Sequence, residues 1–349
     1  MGGEGGVRVY YVFLDTNVFT PDFRLNKMSN RLLLKYSQRN EIIICLTYTN
    51  YLEIIKKFKD FITPLVNKSK EQNALFVRYS GDDLFKIGKA YNYVEKYKQQ
   101  LDKLIGESNI EIVHHSSDIA ERIIPKFFNN IKPFDFNKPS FRDAFIWETM
   151  RDFNQDIIQE DDRLIFITNN SKDFAKKDKD GNYYLHDDLK NEIPNLVLYT
   201  DANDFFNRDI GINDYLIDNF EFNEGQVVKL IEDYAGDNSI IQSGIDEYLW
   251  NNQFEGEYFE GWGEDAQPSL TSVTIVENSL DVDNGDIQII ADLEYEVDFS
   301  VVTSNPGYEK GDPYDDQYLR DNGNIQININ CSLVINDEEI KEFSIEGLE

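Results

Sequence analysis

The chain is poor in the residue types that define several protein classes. Its 349 residues include only two cysteines and three histidines, and none of them has the Cys/His spacing of a zinc site. Cys45 and Cys331 lie in separate strand-like runs, which predicts two buried thiols and fits the reducing cytoplasm. The sequence therefore argues against a disulfide scaffold and against a zinc protein.

Long apolar runs are also missing. No stretch of about 18 apolar residues occurs, so no membrane-spanning helix is predicted and no membrane partner is expected. No basic segment followed by an apolar core marks a signal peptide. We interpret the glycine-rich start, Met1–Gly6, as a leader outside the fold. The absence of a GxxxxGK[ST] loop and of a GxSxG elbow argues against P-loop and α/β-hydrolase chemistry.

Basic residues are nearly absent from the last 40% of the chain. Residues 211–349 carry 33 acidic and four basic side chains, a net charge of −29. Residues 1–210 carry 32 acidic and 30 basic side chains. Such an abrupt shift in composition marks a domain boundary. We therefore predict two domains, 7–210 and 211–349.

The first domain alternates short apolar runs with helical patterns. This alternation predicts a mostly parallel sheet with helices on both faces, the α/β class. The helical stretch after the second run predicts an insertion of two helices. The predicted strands are Val9–Leu14, Glu41–Leu46, Ile110–Val113, Leu164–Thr168 and Leu196–Tyr199, and the predicted helices are 27–39, 48–70, 83–105, 117–128, 140–154 and 185–192.

The second domain changes period along its length. Helical spacing over 213–250 gives way, after an expected irregular connector at 254–268, to strict alternation of apolar and polar residues over 269–345. Alternation with period two predicts strands with one buried face. We expect a small α+β domain whose antiparallel sheet of about four strands packs on the helices. Turns are predicted at Asn284-Gly285 and Asp321–Gly323, and a longer loop at Ser304–Gln317.

Four acids in the first domain are candidates for a common site. Asp15 and Asp173 follow apolar strands, and Glu53 and Asp143 lie early in helices. Each also has a local explanation. Asp143 stands three residues after Ser140, the spacing of a capping box; Glu53 can pair with Lys56 or Lys57 on a helix; Asp15 and Asp173 can stabilise turns.

The predicted sheet would bring these four acids together. In a parallel sheet, the carboxyl ends of strands and the amino ends of the following helices share one rim. Clustered carboxylates repel one another unless a cation offsets their charge, and their oxygens favour Mg²⁺ or Mn²⁺. A metal site at this rim is therefore predicted.

The residues of these motifs and their order along the chain resemble those of the PIN-domain nuclease superfamily. The resemblance rests on Leu14-Asp15-Thr16-Asn17, on helical Glu53, on Arg142-Asp143-Ala144 and on Thr168-Asn169-Asn170-Ser171-Lys172-Asp173-Phe174, and it covers about residues 8–205. It implies a Rossmann-like PIN fold of the larger bacterial form, with a helical insertion. It also implies that Asp15, Glu53, Asp143 and Asp173 bind the catalytic metal, supported by Thr16, Asn17, Thr168, Asn169 and Asn170.

The expected activity is hydrolysis of phosphodiester bonds, with RNA favoured over DNA. Basic residues near the motifs can bind backbone phosphates, although each can equally be a solvated surface charge; they are Lys56, Lys57, Arg142 and Lys172. By family analogy, a toxin or an antiviral defence effector is a plausible context. The alternative is a catalytically silent PIN-like scaffold that binds proteins.

The acidic domain should be repelled by nucleic acid. Three interpretations remain open for it. It is an accessory domain, or it binds a basic protein partner, or it mimics nucleic acid and restrains the nuclease.

Overall fold

The computed structural model describes residues 8–83, 86–134, 140–177, 179, 183–236, 238–310, 316–336 and 338–349. The predicted leader Met1–Gly6, Pro139 before the third motif, and the middle of the predicted Ser304–Gln317 loop lie outside these ranges. The chain forms two compact units, which divide between Asn219 and Phe220. No helix of the described residues is long and apolar enough to cross a membrane.

The first unit alternates strands and helices, as predicted. In chain order its elements are β1 (Tyr10–Leu14), α1 (Thr16–Phe19), α2 (Met28–Gln38), β2 (Ile43–Thr47), α3 (Tyr48–Ser80), α4 (Ala90–Glu107), β3 (Glu111–Val113), α5 (Ile119–Phe128), α6 (Phe141–Asp156), β4 (Arg163–Ile167), α7 (Ser171–Phe174), β5 (Ala175–Lys177), β6 (Tyr183–Leu185), α8 (Asp187–Lys190), β7 (Leu196–Tyr199), α9 (Ala202–Arg208) and α10 (Ile212–Asp218).

Five parallel strands form the main sheet of this unit, in the order β3-β2-β1-β4-β7. The α/β class is thereby confirmed. Phe13 of β1 and Phe166 of β4 pack with Trp147 and Met150 of α6, and all four side chains are essentially buried. β1 lies at the centre of the sheet, so the residue that follows it is placed at the middle of the carboxyl rim.

The predicted insertion is a pair of helices. α3 runs ten residues beyond its predicted end at residue 70, to Ser80, and ends at Gly81 with a positive φ of 81°. The stacked rings of Phe58 and Tyr97, with centroids 4.0 Å apart, join α3 to α4. The ring of Phe23 also packs against both of these rings.

The second unit is the predicted α+β domain. Its elements are α11 (Glu224–Ala235), α12 (Ser239–Asn251), β8 (Phe254–Glu255), β9 (Glu260–Asp281), β10 (Asp286–Ser304), β11 (Tyr318–Asn336) and β12 (Glu339–Leu348). The strands are antiparallel, in the order β12-β11-β10-β9-β8. Ile231 of α11 and Ile245 of α12 join Ile289, Leu293 and Ile329 in one core.

Two details of this unit were predicted wrongly. Residues 254–268 are strand for most of their length rather than an irregular connector, because β9 begins at Glu260. Asp321–Gly323 lies inside β11 rather than in a turn, with Asn322 opposite Ser300. The glycine has a packing role here, since a Cβ on Gly323 would lie 2.6 Å from the ring of Phe299. The predicted turn at Asn284-Gly285 does join β9 to β10, with Gly285 at a φ of 65°.

Gly261 offers a test of how closely β9 approaches β10. A Cβ at this position would lie 2.0 Å from the carbonyl oxygen of Val302, a contact that only backbone movement can relieve. We expect Gly261→Ala to destabilise the second unit by at least about 2 kcal/mol, measured by urea unfolding and by faster hydrogen exchange in β9 and β10. Gly347→Ala in β12 is the matched control, because no heavy atom lies within 4 Å of its Cβ position. Equal stability of the two variants would contradict the expectation.

Candidate metal and nucleic-acid site at the carboxyl rim

Asp15 is the centre of a hydrogen-bonded cluster at the end of β1. Its side chain is 2% exposed. Oδ1 accepts from the Thr16 backbone N–H at 2.7 Å and from Asn50 Nδ2 at 3.2 Å. Oδ2 accepts from Asn17 Nδ2 at 3.0 Å and from Thr168 Oγ1 at 2.6 Å. Four donors from α1, α3 and the residue after β4 thus fix this carboxylate, and Asp15 is also the N-cap of α1.

Glu53 joins the same cluster from α3. Its Oε2 accepts from Thr16 Oγ1 at 3.1 Å. Its Oε1 is paired with the Arg142 guanidinium of α6 and lies 4.0 Å from Lys57 Nζ. The pairing with Lys57 expected from helix spacing is therefore present alongside the contact with the Asp15 cluster.

Asp143 and Asp173 lie on the β4 and α6 side of the rim. Asp143 Oδ1 is 3.4 Å from Asn170 Nδ2, and the Asp143 backbone N–H donates to Ser140 Oγ, the N-cap of α6, at 3.4 Å. Asp173 is half-buried in α7. Ser140 therefore caps α6 through the Asp143 backbone N–H, which leaves the Asp143 side chain close enough to the other acids for their charges to act on it.

Asp143 lies close enough to the other three acids for their charges to act on it. Burial is the main cause that raises the pKa of Asp143 to about 6, and the negative charges of Asp15, Asp173 and Glu53 raise it further. Burial likewise raises the pKa of Asp15, and Glu53 adds to the shift. Both effects disfavour a charged carboxylate, so a cation placed among these acids would be stabilised.

The supporting residues divide into two groups. Thr16, Asn17, Thr168 and Asn170 all contact the acid cluster, and the Asn170 backbone N–H also donates to Thr168 Oγ1 at 3.0 Å. Asn169 is exposed. It lines, with Asn17, Lys27 and Arg208, a polar cavity of about 540 Å³ beside the rim.

The proposed phosphate-binding residues also differ in position. Arg142 and Lys57 lie at Glu53. Lys172 is exposed in α7, where its carbonyl accepts from Lys132 Nζ at 3.0 Å. Lys56 is exposed and pairs with Asp60 at 3.2 Å on the outer side of α3. Its contacts therefore place it with the solvated helix charges.

Asn50 is a residue of this cluster that the sequence motifs did not single out. Its amide nitrogen donates to Asp15 Oδ1 and, at 3.1 Å, to Thr16 Oγ1. Thr47, the N-cap of α3, fixes it by accepting from the Asn50 backbone N–H at 3.1 Å. The available signal was its position three residues before Glu53, on the same face of α3.

The donor set fits a hard divalent cation in its chemistry, since carboxylate and hydroxyl oxygens dominate it. Within the described ranges, however, no three Asp, Glu, His or Cys side chains stand close enough together to ligate one ion. The Arg142–Glu53 ion pair offsets part of the negative charge of the cluster.

Comparison with known proteins identifies the class of this unit. Residues 12–174 match the model of the PIN-domain family. The match supports a PIN-like domain in this part of the chain, as its motifs predicted, and a nuclease-type function is indicated for it. Divalent metals such as Mg²⁺ or Mn²⁺ are typical cofactors of that class. No curated protein and no solved structure matches the chain significantly.

Proposed function

We propose that the protein is a metal-dependent nuclease whose four rim acids would move closer together to hold the catalytic metal. The observation that carries this proposal is the hydrogen-bonded link from Asp15 through Thr16 to Glu53 at the carboxyl rim. The raised pKa of Asp143, caused by burial and then by the charges of the other three acids, agrees with it. Mutual repulsion among buried acids destabilises a fold, and groups with shifted pKa values cluster at functional sites. Phosphodiester hydrolysis at a carboxylate-bound metal is a function that such acids serve. RNA is the favoured substrate and DNA the alternative.

The chain's own residues would hold and orient the components. Asp15, Glu53, Asp143 and Asp173 would be the ligands, with Asp15 held in place by Thr168, Thr16 and Asn50. When bound, Mg²⁺ or Mn²⁺ supplies activation of water and stabilisation of charge at phosphorus. Arg142, Lys57 and Lys172 would bind the flanking phosphates, since each is a cation near the acids in space or in sequence.

Metal binding should stabilise the fold measurably. Because a ligand that binds only the folded state stabilises it by mass action, Mg²⁺ or Mn²⁺ at 100 times its Kd should add about 2.7 kcal/mol. We expect the melting temperature of the first unit to rise by about 5–10 °C, measured by calorimetry with and without chelator. Cleavage of labelled RNA and DNA should appear under the same conditions and disappear with chelator. Metal-independent cleavage would contradict the proposal.

A silent PIN-like scaffold is the second candidate. The observation that favours it is the Arg142–Glu53 ion pair, which engages a proposed metal ligand. A scaffold of this kind would show neither the thermal shift nor cleavage with Mg²⁺ or Mn²⁺. The same experiment therefore separates the two functions.

The acidic second unit would regulate the nuclease rather than bind its substrate. Residues 211–349, which include this unit, carry a net charge of −29 and repel phosphates. We propose that it binds a basic protein partner or restrains the nuclease as a nucleic-acid mimic. The proposed setting is a cytoplasmic toxin or antiviral defence effector.

A further inference from the structure

Three aromatic rings stack along the rim beside the acid cluster. The ring centroids of Tyr48 and His114 are 4.7 Å apart at 27°, and those of Tyr48 and Tyr51 are 6.1 Å apart at 18°. We call Tyr51, Tyr48 and His114 the aromatic ladder. None of its members belongs to the PIN motifs.

The sheet places the ladder on the same rim as Asp15. Tyr48 and His114 are the first residues after β2 and β3, and these neighbouring strands are in register with Thr47 opposite Val113. Asp15 is the first residue after β1, which pairs with β2 on its other side. Since neighbouring strands lie about 4.8 Å apart, His114 stands two strands, or about 10 Å, from Asp15.

The ladder is fixed at one end and open at the other. The Tyr51 hydroxyl donates to Asp102 Oδ1 at 2.7 Å, which holds that ring against α4. Tyr48 is 36% exposed, and His114 is also exposed. Among the described ring contacts, His114 has one neighbour, Tyr48, on one of its faces. A further planar ring can therefore extend the stack from His114.

We propose that the aromatic ladder binds an unpaired nucleobase of the substrate strand. This inference rests on the proposed function and adds the residues that would hold that base. Base–aromatic stacking is a sequence-tolerant contact in single-strand binding proteins. Bases within a duplex are already stacked and paired, so they cannot reach exposed rings. Lys57 and Arg142 both contact Glu53 at the rim. From there they would bind the phosphates of the same strand.

Binding of labelled oligonucleotides to the full chain, in chelator to prevent cleavage, tests this proposal. The probes are a single-stranded RNA, a single-stranded DNA of the same sequence and a blunt duplex, each followed by fluorescence anisotropy. Loss of one stacked base should weaken single-strand binding at least about fivefold. We expect this loss for His114→Ala and for Tyr48→Leu, which keeps bulk without a stacking face, and no change in duplex binding. The RNA and DNA arms show which sugar is preferred.

Two variants serve as controls. Tyr48→Phe retains the ring and should bind single strands as the natural chain does. Tyr79→Ala removes an exposed tyrosine, 82% accessible, from the far end of the same helix and should also leave binding unchanged. A spectroscopic readout is independent of affinity: 2-aminopurine in the single strand should lose fluorescence on binding through stacking, and His114→Ala should abolish that quenching. Melting temperatures of all variants identify any that are misfolded.

The outcomes separate this inference from the proposed function. Unchanged single-strand affinity and quenching in folded His114→Ala and Tyr48→Leu overturn the ladder, even if the protein cleaves RNA. Ring-dependent single-strand binding without any cleavage in Mg²⁺ or Mn²⁺ overturns the nuclease and leaves the ladder standing. An equal loss of duplex binding would show that the rings only support the fold, and would also overturn the proposal.

Discussion

Replacing Asp15 with asparagine should reduce cleavage about a thousandfold or more while the protein stays folded. The substitution keeps the shape of the side chain and removes the charge that would hold a metal, which is worth several kcal/mol of transition-state stabilisation. Burial already raises the pKa of Asp15, so the charge itself does not stabilise the metal-free fold. The measurement is cleavage of labelled RNA and DNA in Mg²⁺ and Mn²⁺, together with the melting temperature.

The matched control is Asp156→Asn, which neutralises an exposed acid at the end of α6. It should cleave at the natural rate and retain the metal-induced thermal shift, whereas Asp15→Asn should lose both. Unchanged activity in purified Asp15→Asn protein would show that the site is wrongly assigned. Loss of activity together with unfolding would point instead to the hydrogen bonds of Thr168 and Asn50 as the main role of Asp15.

Removing the Glu148 side chain should destabilise the first unit more than most single substitutions. Glu148 of α6 is fully buried among three cations: Arg122 Nε at 3.0 Å, Lys126 Nζ at 2.5 Å and Arg151 at 3.3 Å. Breaking a buried ion pair from one side leaves uncompensated charge and costs about 3–5 kcal/mol. Glu148→Ala should lower the free energy of unfolding by that amount, measured by urea denaturation of the first unit.

The control for this prediction is Asp118→Asn. Asp118 pairs with the same Arg122 at 2.8 Å but is 58% exposed on its side chain, so its loss should leave the urea midpoint nearly unchanged. A small effect of Glu148→Ala would mean that Glu192, 2.6 Å from Lys126 Nζ, and Asp152, 2.6 Å from Arg122, satisfy the cations without it. Glu148 also shows that a buried acid of this unit can be held by ion pairs with its neighbours.

The parallel sheet was predictable because its strands are short, apolar and separated by helices. Hydrophobic periodicity and segment length therefore indicate the same secondary structure. Leu196–Tyr199 has its predicted bounds as β7, and Asp15 follows its strand as expected. Local patterns could not reveal that Asn50 donates to a carboxylate 35 residues away. Nor could they reveal that Arg142 and Glu53, 89 residues apart, form an ion pair. Both contacts depend on the tertiary placement of α3 and α6.

In the second unit, by contrast, local sequence signals for a turn and for an irregular connector were misleading. Asp-Asn-Gly is typical of a turn, yet Gly323 continues β11 because its missing side chain makes room for the ring of Phe299. Residues 254–268, rich in glutamate and glycine, look irregular in sequence. The pairing of β9 with β10 nevertheless determines their conformation, with Trp262 opposite Val302. Cross-strand partners decide strand structure more than composition does.

The central position of β1 has a consequence for synthesis on the ribosome. Asp15 emerges early, but Thr168, which donates to it, lies 153 residues later in the chain. β1 can pair with β4 only after residues 163–167 have been made, and closing such a long loop comes late in folding. The rim acids therefore converge only once about half of the chain has been translated. If the proposed nuclease acts on RNA, a nascent polypeptide shorter than that has no assembled centre with which to cleave the messenger that encodes it.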